Sequence, residues 1–271
     1  MNAPTTSSFL ATDGDAYEFQ MGRWSRRLAP LLIDFAGINH ASRVLDVGCG
    51  TGNLSICLAR NPGIGCISGI DLSPAYIEHA KRGNNDARLN FEVADACALP
   101  FADAHFDHSL SMLALQFTPD INLALREMHR VTRPGGTVAA ATWDTRGGFV
   151  AFRIIFDAAA MLDPLGGHAA RARAYTRPLS RPGELAHAWR EAGFIDVVQD
   201  MRTIRMDFAS FVDLWAPAEG TEGSVAEFVG SLGGTAKSKL RDAVRSAYLD
   251  GEADGPRSYA ATAWVVKGEV L

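Results

Sequence analysis

A chain of 271 residues, 47% hydrophobic and 21% charged, fits one large α/β domain or a core with a smaller cap, and has the composition of a globular protein with a buried core. The formal net charge of -5 repels polyanions, so nucleic acid is not an expected partner, and no apolar run is long enough to span a bilayer. The four cysteines, Cys49, Cys57, Cys66 and Cys97, form no C-x-x-C pair and have no histidine cluster beside them. They argue against a metal centre or a disulfide framework and read as reduced thiols of a cytoplasmic protein.

Residues 1–15 are polar and rich in small side chains, without the basic and then apolar layout of a secretory signal, and are expected to form a mobile tail. From 15 to about 36, Leu28, Leu31, Leu32 and Phe35 recur at helical spacing. The run Arg43-Val44-Leu45-Asp46-Val47 predicts a buried strand that ends in the turn Gly48-Cys49-Gly50-Thr51-Gly52, with a helix over 53–60. A second strand at 66–70 ends at Asp71. Ser73-Pro74 then starts a helix, with serine as cap and proline in the first position. Strands follow at 89–94, ending at Asp95, and at 106–113. A helix at 121–132, a turn at Pro134-Gly135-Gly136 and a strand at 137–142 come next.

After Asp144 the rhythm breaks. Residues 145–182, rich in alanine, arginine and glycine, predict a helix and loops over the sheet edge. A helix at 184–192 stops at Gly193, a strand covers 197–206, helical sequence runs over 208–249 with breaks near Gly220 and Gly233-Gly234, and a last strand covers 261–266. This alternation predicts a doubly wound α/β fold with a seven-stranded, mostly parallel sheet and helical lid insertions. The divisions are a tail at 1–15, a core at 16–144, a lid insertion at 145–182, and a sheet-completing segment at 183–271 that carries a second helical insertion at about 208–256.

Three acids mark the expected C-terminal ends of the first three strands, where open α/β sheets bind ligands. The glycine turn is spaced G-x-G-x-G rather than the G-x-G-x-x-G of dinucleotide folds. Glycine permits both the sharp turn and close approach of a ligand. Asp46, two residues before Gly48, disfavours a pyrophosphate and suits a cationic group. Asp71 stands where an acid accepts both hydroxyls of a ribose. Asp95 can accept from an adenine amino group.

With these residues the chain resembles the class I S-adenosylmethionine-dependent methyltransferases, closest to the subgroup of ubiquinone and menaquinone biosynthesis enzymes. The resemblance runs from about Tyr17 to Asp144. It includes Tyr17-x-x-x-Met21-Gly22-Arg23, the turn from Asp46 to Gly52, Gly69-Ile70-Asp71-Leu72-Ser73, Ala94-Asp95-Ala96, Leu99-Pro100-Phe101, Phe106-Asp107 and Arg133-Pro134-Gly135-Gly136. It is specific to the cofactor and silent on the acceptor. The resemblance implies S-adenosyl-L-methionine as cofactor and S-adenosyl-L-homocysteine as product. The backbone of Gly48, Cys49, Gly50 and Gly52 would hold the methionine part. Asp71 would hold the ribose with Leu72 on the adenine, while Ala94, Asp95 and Ala96 would contact the adenine. Ser111 and Met112 would face the sulfonium, Tyr17, Met21 and Arg23 would close over the cofactor, and Gln116 would sit at the acceptor side. No motif supplies a dedicated base. His108 and Gln116 are the candidates, with a structural role the more ordinary reading of His108.

The arginines at 171, 173, 177 and 181 read by default as a solvated face, and more sharply as an anionic acceptor site under the lid. Phe149, Phe152, Phe156, Trp189, Phe211 and Trp215 suit an apolar or aromatic small-molecule acceptor. Two rivals stay open: a non-catalytic S-adenosylmethionine-binding protein, and a nicotinamide-dependent oxidoreductase, which the G-x-G-x-G spacing disfavours.

Overall fold

A computed structural model describes residues 13–82 and 84–271. Of the tail expected at 1–15, residues 1–12 lie outside the described residues. Asp13 is a helix cap, its Oδ1 accepting from the N–H groups of Asp15 and Ala16 at 2.9 and 3.1 Å. Helix α1 (Gly14–Tyr17) passes through one wide π turn, Glu18–Gly22, into α2 (Arg23–Ala36), so the single helix expected over 15–36 carries a local widening. Gly37, left-handed at φ 76°, ends α2.

The core then alternates: β1 (Ala41–Val47), α3 (Asn53–Ala59), β2 (Ile64–Asp71), α4 (Pro74–Arg82), β3 (Leu89–Val93), β4 (Phe106–Met112), a 3-10 turn at Leu115–Phe117, α5 (Ile121–Val131) and β5 (Thr132–Trp143). The chain continues with α6 (Val150–Leu162), α7 (Gly166–Tyr175), α8 (Glu184–Glu191), β6 (Ile195–Phe208), α9 (Phe211–Trp215), α10 (Gly223–Gly230), α11 (Gly234–Leu249) and β7 (Arg257–Glu269). The seven strands form one sheet in the order β3-β2-β1-β4-β5-β7-β6. Strands β1 to β5 pair in parallel, and β7 is antiparallel to both β5 and β6. The winding direction reverses between β1 and β4, which opens a crevice at their C-terminal ends.

Neighbouring residues of each central strand enter opposite layers, as strand alternation requires. Val44, Leu110, Ala139 and Val265 pack with α2 and α3, whereas Leu45, Val138, Ala140 and Val266 pack with α5 and α8. The indole N–H of buried Trp189 on α8 donates to the Val138 carbonyl at 3.0 Å, tying that layer to β5. The turn expected at 134–136 is a loop-out within β5. Phe106 pairs with Thr132 and His108 with Thr137, so two steps along β4 face five along β5, with Gly135 at φ 71°.

Helices α6, α7 and α10 pack on one another. Phe156 of α6 joins them, its ring 6.5 Å from Tyr175 of α7 and 5.9 Å from Phe228 of α10. Among the described residues, no helix is long and apolar enough to cross a membrane.

Candidate cofactor and acceptor site

A cavity of about 380 Å³ opens at the crevice, within the size range of small-molecule sites. Its floor is the turn after β1. Gly48, Gly50 and Gly52 all have positive φ, at 70°, 55° and 88°. A Cβ on Gly48 would stand 2.2 Å from the Cβ of Ala114 in the loop after β4, so these two loops are in direct backbone contact. Gly52 has no side chain to cap α3, and Asp46 does this from β1. Its Oδ2 accepts from the N–H and hydroxyl of Ser55, at 3.1 and 2.7 Å. The other oxygen, Oδ1, is buried without a hydrogen-bond partner, on a residue that lines the cavity. Burial pushes the Asp46 carboxyl up to about 7 against the pull of the Ser55 hydrogen bonds, and the nearby Asp71 charge adds to the rise.

Asp71 ends β2 and clamps two loops. Its Oδ2 accepts from the Gly50 N–H and its Oδ1 from the Ser73 N–H, both at 2.9 Å. Each oxygen keeps a further lone pair. Burial raises this carboxyl too, opposed by the backbone hydrogen bonds. Leu72, 44% exposed, lines the cavity beside it. Asp95 follows β3 and accepts the Cys97 N–H at 2.8 Å, and it lines the same cavity with Ala94 and Ala96.

The π turn brings Tyr17, Gln20 and Met21 over the opening. The turn is anchored by Glu18, which accepts from the Thr51 hydroxyl and the Asn53 amide at the glycine turn. Tyr17 stacks obliquely on Tyr76 of α4, with centroids 5.1 Å apart, and burial pushes its phenol up to about 12. The Tyr76 hydroxyl donates to Glu222 at 3.1 Å, and Glu222 also accepts the Asp13 N–H at 2.8 Å. One buried carboxylate thus ties the N-terminal helix, α4 and the segment before α10 together. Nothing in the local sequence around Tyr76 or Glu222 announces this, because the partners lie far apart in the chain.

Four expected positions differ. Gly52 is not among the lining residues, and a Cβ there would meet the Phe91 ring of β3 at 3.0 Å, so its bare side faces internal packing. Arg23 is not among the lining residues. It pairs with Asp213 at 2.8 Å and lies over the Trp24 ring, because helical rotation within α2 turns it toward α9. Ser111 is buried and donates its hydroxyl to the Val47 carbonyl at 2.8 Å, since alternation along β4 sends its neighbour Met112 to the cavity instead. His108 lies at the far end of β4, where its Nδ1 accepts the Thr137 N–H at 3.1 Å and burial lowers its pKa. It is a neutral structural acceptor, away from the cavity. Ser111→Ala is therefore expected to lower stability by about 1 kcal/mol, the worth of one hydrogen bond, and to leave S-adenosylmethionine affinity within about twofold. Chemical denaturation and calorimetry check both halves, and a tenfold loss of affinity would return Ser111 to the site.

Sequence reading also passed over Leu113, a non-glycine residue at φ 64°, a strained position of the kind that collects at functional sites. Its carbonyl accepts the Gln116 side-chain N–H at 2.8 Å. Since a carbonyl can face only the NH₂ end of that amide, Gln116 Oε1 is the free end, and it is buried without a partner.

Residues 44–136 match the methyltransferase domain family. The malonyl-[acyl-carrier protein] O-methyltransferase of Erwinia pyrifoliae is 41% identical over 123 residues, 45% of each chain. The alignments with curated relatives span less than half of either chain. Among solved structures, a phosphoethanolamine N-methyltransferase 2 of Haemonchus contortus in complex with S-adenosyl-L-methionine has a TM-score of 0.57 at 17% identity, covering 95% of this chain and 57% of its own. The [4+2]-cyclase SpnF has a TM-score of 0.56 at 22% identity, covering 98% and 88%. Residues 44–136 are thus a class I S-adenosylmethionine-dependent methyltransferase domain, and S-adenosylmethionine is the cofactor of that class. A cyclase on the same fold means that the fold alone does not fix the reaction.

Proposed function

We propose that the protein transfers a methyl group from S-adenosylmethionine to a small molecule. The observation that carries this reading is the buried, unpartnered Oδ1 of Asp46 on the cavity wall it shares with Gly50, whose Cβ position meets only the Tyr76 ring at 3.9 Å, a site suited to a cationic ligand against bare backbone. When bound, the cofactor supplies a sulfonium methyl group for in-line displacement and leaves as S-adenosylhomocysteine.

In this reading the turn from Gly48 to Gly52 cradles the amino-acid part, with Asp46 facing its ammonium. The spare lone pairs of Asp71 accept the ribose hydroxyls, and Leu72, Ala94, Asp95 and Ala96 enclose the adenine. Tyr17 and Met21 cover the site, Met112 faces the methyl group, and Gln116 stands at the acceptor side. No histidine, lysine or glutamate is among the described lining residues. The chain's contribution is then to orient the acceptor and exclude water, effects that can supply roughly 7–11 kcal/mol of a barrier. The free thiols of all four cysteines fit a reducing compartment such as the cytoplasm.

Calorimetric titration of S-adenosylmethionine, S-adenosylhomocysteine and NAD into the purified protein tests the assignment. Both sulfur nucleotides are expected to bind and NAD is not. Asp71→Ala removes charge-assisted hydrogen bonds worth roughly 1.5–3 kcal/mol each, so the affinity is expected to drop about 10- to 100-fold. Binding of NAD in place of the sulfur nucleotides would reverse the assignment.

A further inference from the structure

The same cavity carries a second group of lining residues, whose chemistry differs from that of the glycine turn. Charged side chains on its described lining are Asp46, Asp71, Asp95 and Arg177. The three acids belong to the C-terminal ends of β1, β2 and β3: Asp46 lies within β1, Asp71 closes β2 and Asp95 follows β3. Arg177 enters from the other side, in the segment between α7 and α8.

The four arginines of that segment are not equivalent. Arg171 pairs with Asp157 at 3.2 Å and Arg181 with Glu184 at 3.7 Å, while Arg173 is exposed. Arg177 is half-buried and lies over the Phe117 ring, 4.9 Å from its centroid. It makes no ion pair with any described carboxylate. Burial lowers its pKa, and Glu227 opposes this from beyond pairing distance. A guanidinium drawn partly out of water without an anion is a costly arrangement, and a ligand anion would relieve it.

The surrounding walls are aromatic. Phe149 and Phe152 stack with centroids 4.1 Å apart, and Trp143 lies 5.1 Å from Phe149. Besides Asp46, three lining residues carry buried polar atoms without partners: Trp143 Nε1, Thr145 Oγ1 and Gln116 Oε1. Trp143, Thr145 and Gln116 are 5, 8 and 9% exposed, so these atoms sit in a built site and not on a wet surface. The indole N–H can only donate, and the oriented Gln116 Oε1 can only accept. The cavity therefore offers a cation and an N–H to an anion, and an acceptor to an O–H or N–H group.

We infer that the methyl acceptor is a small carboxylic acid with an apolar or aromatic body, and that Arg177 is the residue that holds its carboxylate; this rests on the methyltransferase reading of the same cavity. A carboxylate brings one negative charge to one guanidinium. A phosphate monoester brings about 1.5 to 2 at neutral pH and would leave surplus charge in a cavity that already holds three acids.

The test uses the full chain saturated with S-adenosylhomocysteine. Benzoate, 4-hydroxyphenylacetate, hexanoate and their neutral amides are titrated by calorimetry into the wild type, Arg177→Met and Arg177→Lys, with inorganic phosphate as a further probe. At least one acid is expected to bind tenfold or more tighter than its amide. Arg177→Met erases that preference, Arg177→Lys keeps part of it, and both hold S-adenosylhomocysteine within twofold of wild type, which shows that the variants are folded. The inference is overturned if no acid exceeds its amide, if Arg177→Met keeps the preference, or if phosphate binds as tightly as the best acid. Failure of S-adenosylhomocysteine to bind the wild type would overturn the cofactor reading and this inference with it, and it is seen before any acid is added.

Discussion

Gly48→Ala is expected to destabilise the protein by about 2–4 kcal/mol and to abolish measurable S-adenosylmethionine binding. Two costs combine. The backbone at φ 70° is a left-handed conformation that costs a non-glycine residue roughly 1–3 kcal/mol. The added methyl would also sit 2.2 Å from the Cβ of Ala114, far inside van der Waals contact. Relief requires the turn after β1 and the loop after β4 to separate, and the cavity lies between them. At roughly 2–4 °C per kcal/mol for a domain of this size, the melting temperature should drop by about 4–16 °C. The double variant Gly48→Ala with Ala114→Gly separates the two costs, because it removes the collision and keeps the backbone strain. It should regain about half of the lost stability, after allowance for the entropy of the new glycine. A double variant no more stable than the sum of the single effects would mean that the contact is not the source of the loss.

Position 48 also marks how far the sequence alone reaches. The glycines and the three acids at strand ends were legible because each sits at a fixed offset from a short apolar run, and a strand ending in a glycine turn leaves few backbone options. All seven strands were found on the same grounds. β6 and β7 are longer than expected, because their added ends are short and mostly exposed or half-buried and leave no apolar run to read. Ser111 and Arg23 illustrate a different limit. An error of one residue in strand phase exchanges Ser111 for Met112, and a fraction of a helical turn sends Arg23 to Asp213, 190 residues away. Arg177 shows a third. In sequence it is one of four similar arginines, and only the carboxylates that neutralise Arg171 and Arg181 set it apart. Local propensity carries no information about such partners, so the place of Arg177 on the cavity lining becomes readable only once the segments after β5 are folded.

The affinity for S-adenosylmethionine should fall about three- to fivefold between pH 8 and pH 6, and Asp46 is the cause. In the free protein its carboxyl titrates near 7, raised by burial, so it is ionised at pH 8 and about nine-tenths protonated at pH 6. A ligand ammonium beside Oδ1 favours the ionised form and lowers the pKa in the complex. Binding below pH 7 must then expel a proton, and each further unit downward weakens it by up to about tenfold. The ligand's own amino group, with a reference pKa of roughly 7.7–8.0, gains its charge as the pH falls and so opposes the trend. For stability the sign is the reverse of an ordinary paired carboxylate. Between the unfolded value of 3.8 and about 7 the folded state holds a proton that the unfolded chain has released, so this group makes the protein less stable as pH rises through that window. Asp46→Asn keeps an oxygen for Ser55 and removes the charge. It should stabilise the free protein above pH 7, weaken S-adenosylmethionine binding about 10- to 100-fold at pH 8, and flatten the Asp46 part of the pH dependence, leaving what Asp71 and the ligand's amino group contribute. Calorimetry at pH 6 and 8 in two buffers of different ionisation enthalpy counts the released proton directly. Equal proton release in wild type and Asp46→Asn would move the linkage to Asp71, whose carboxyl is also raised, and would leave Asp46 as a cap for α3 alone.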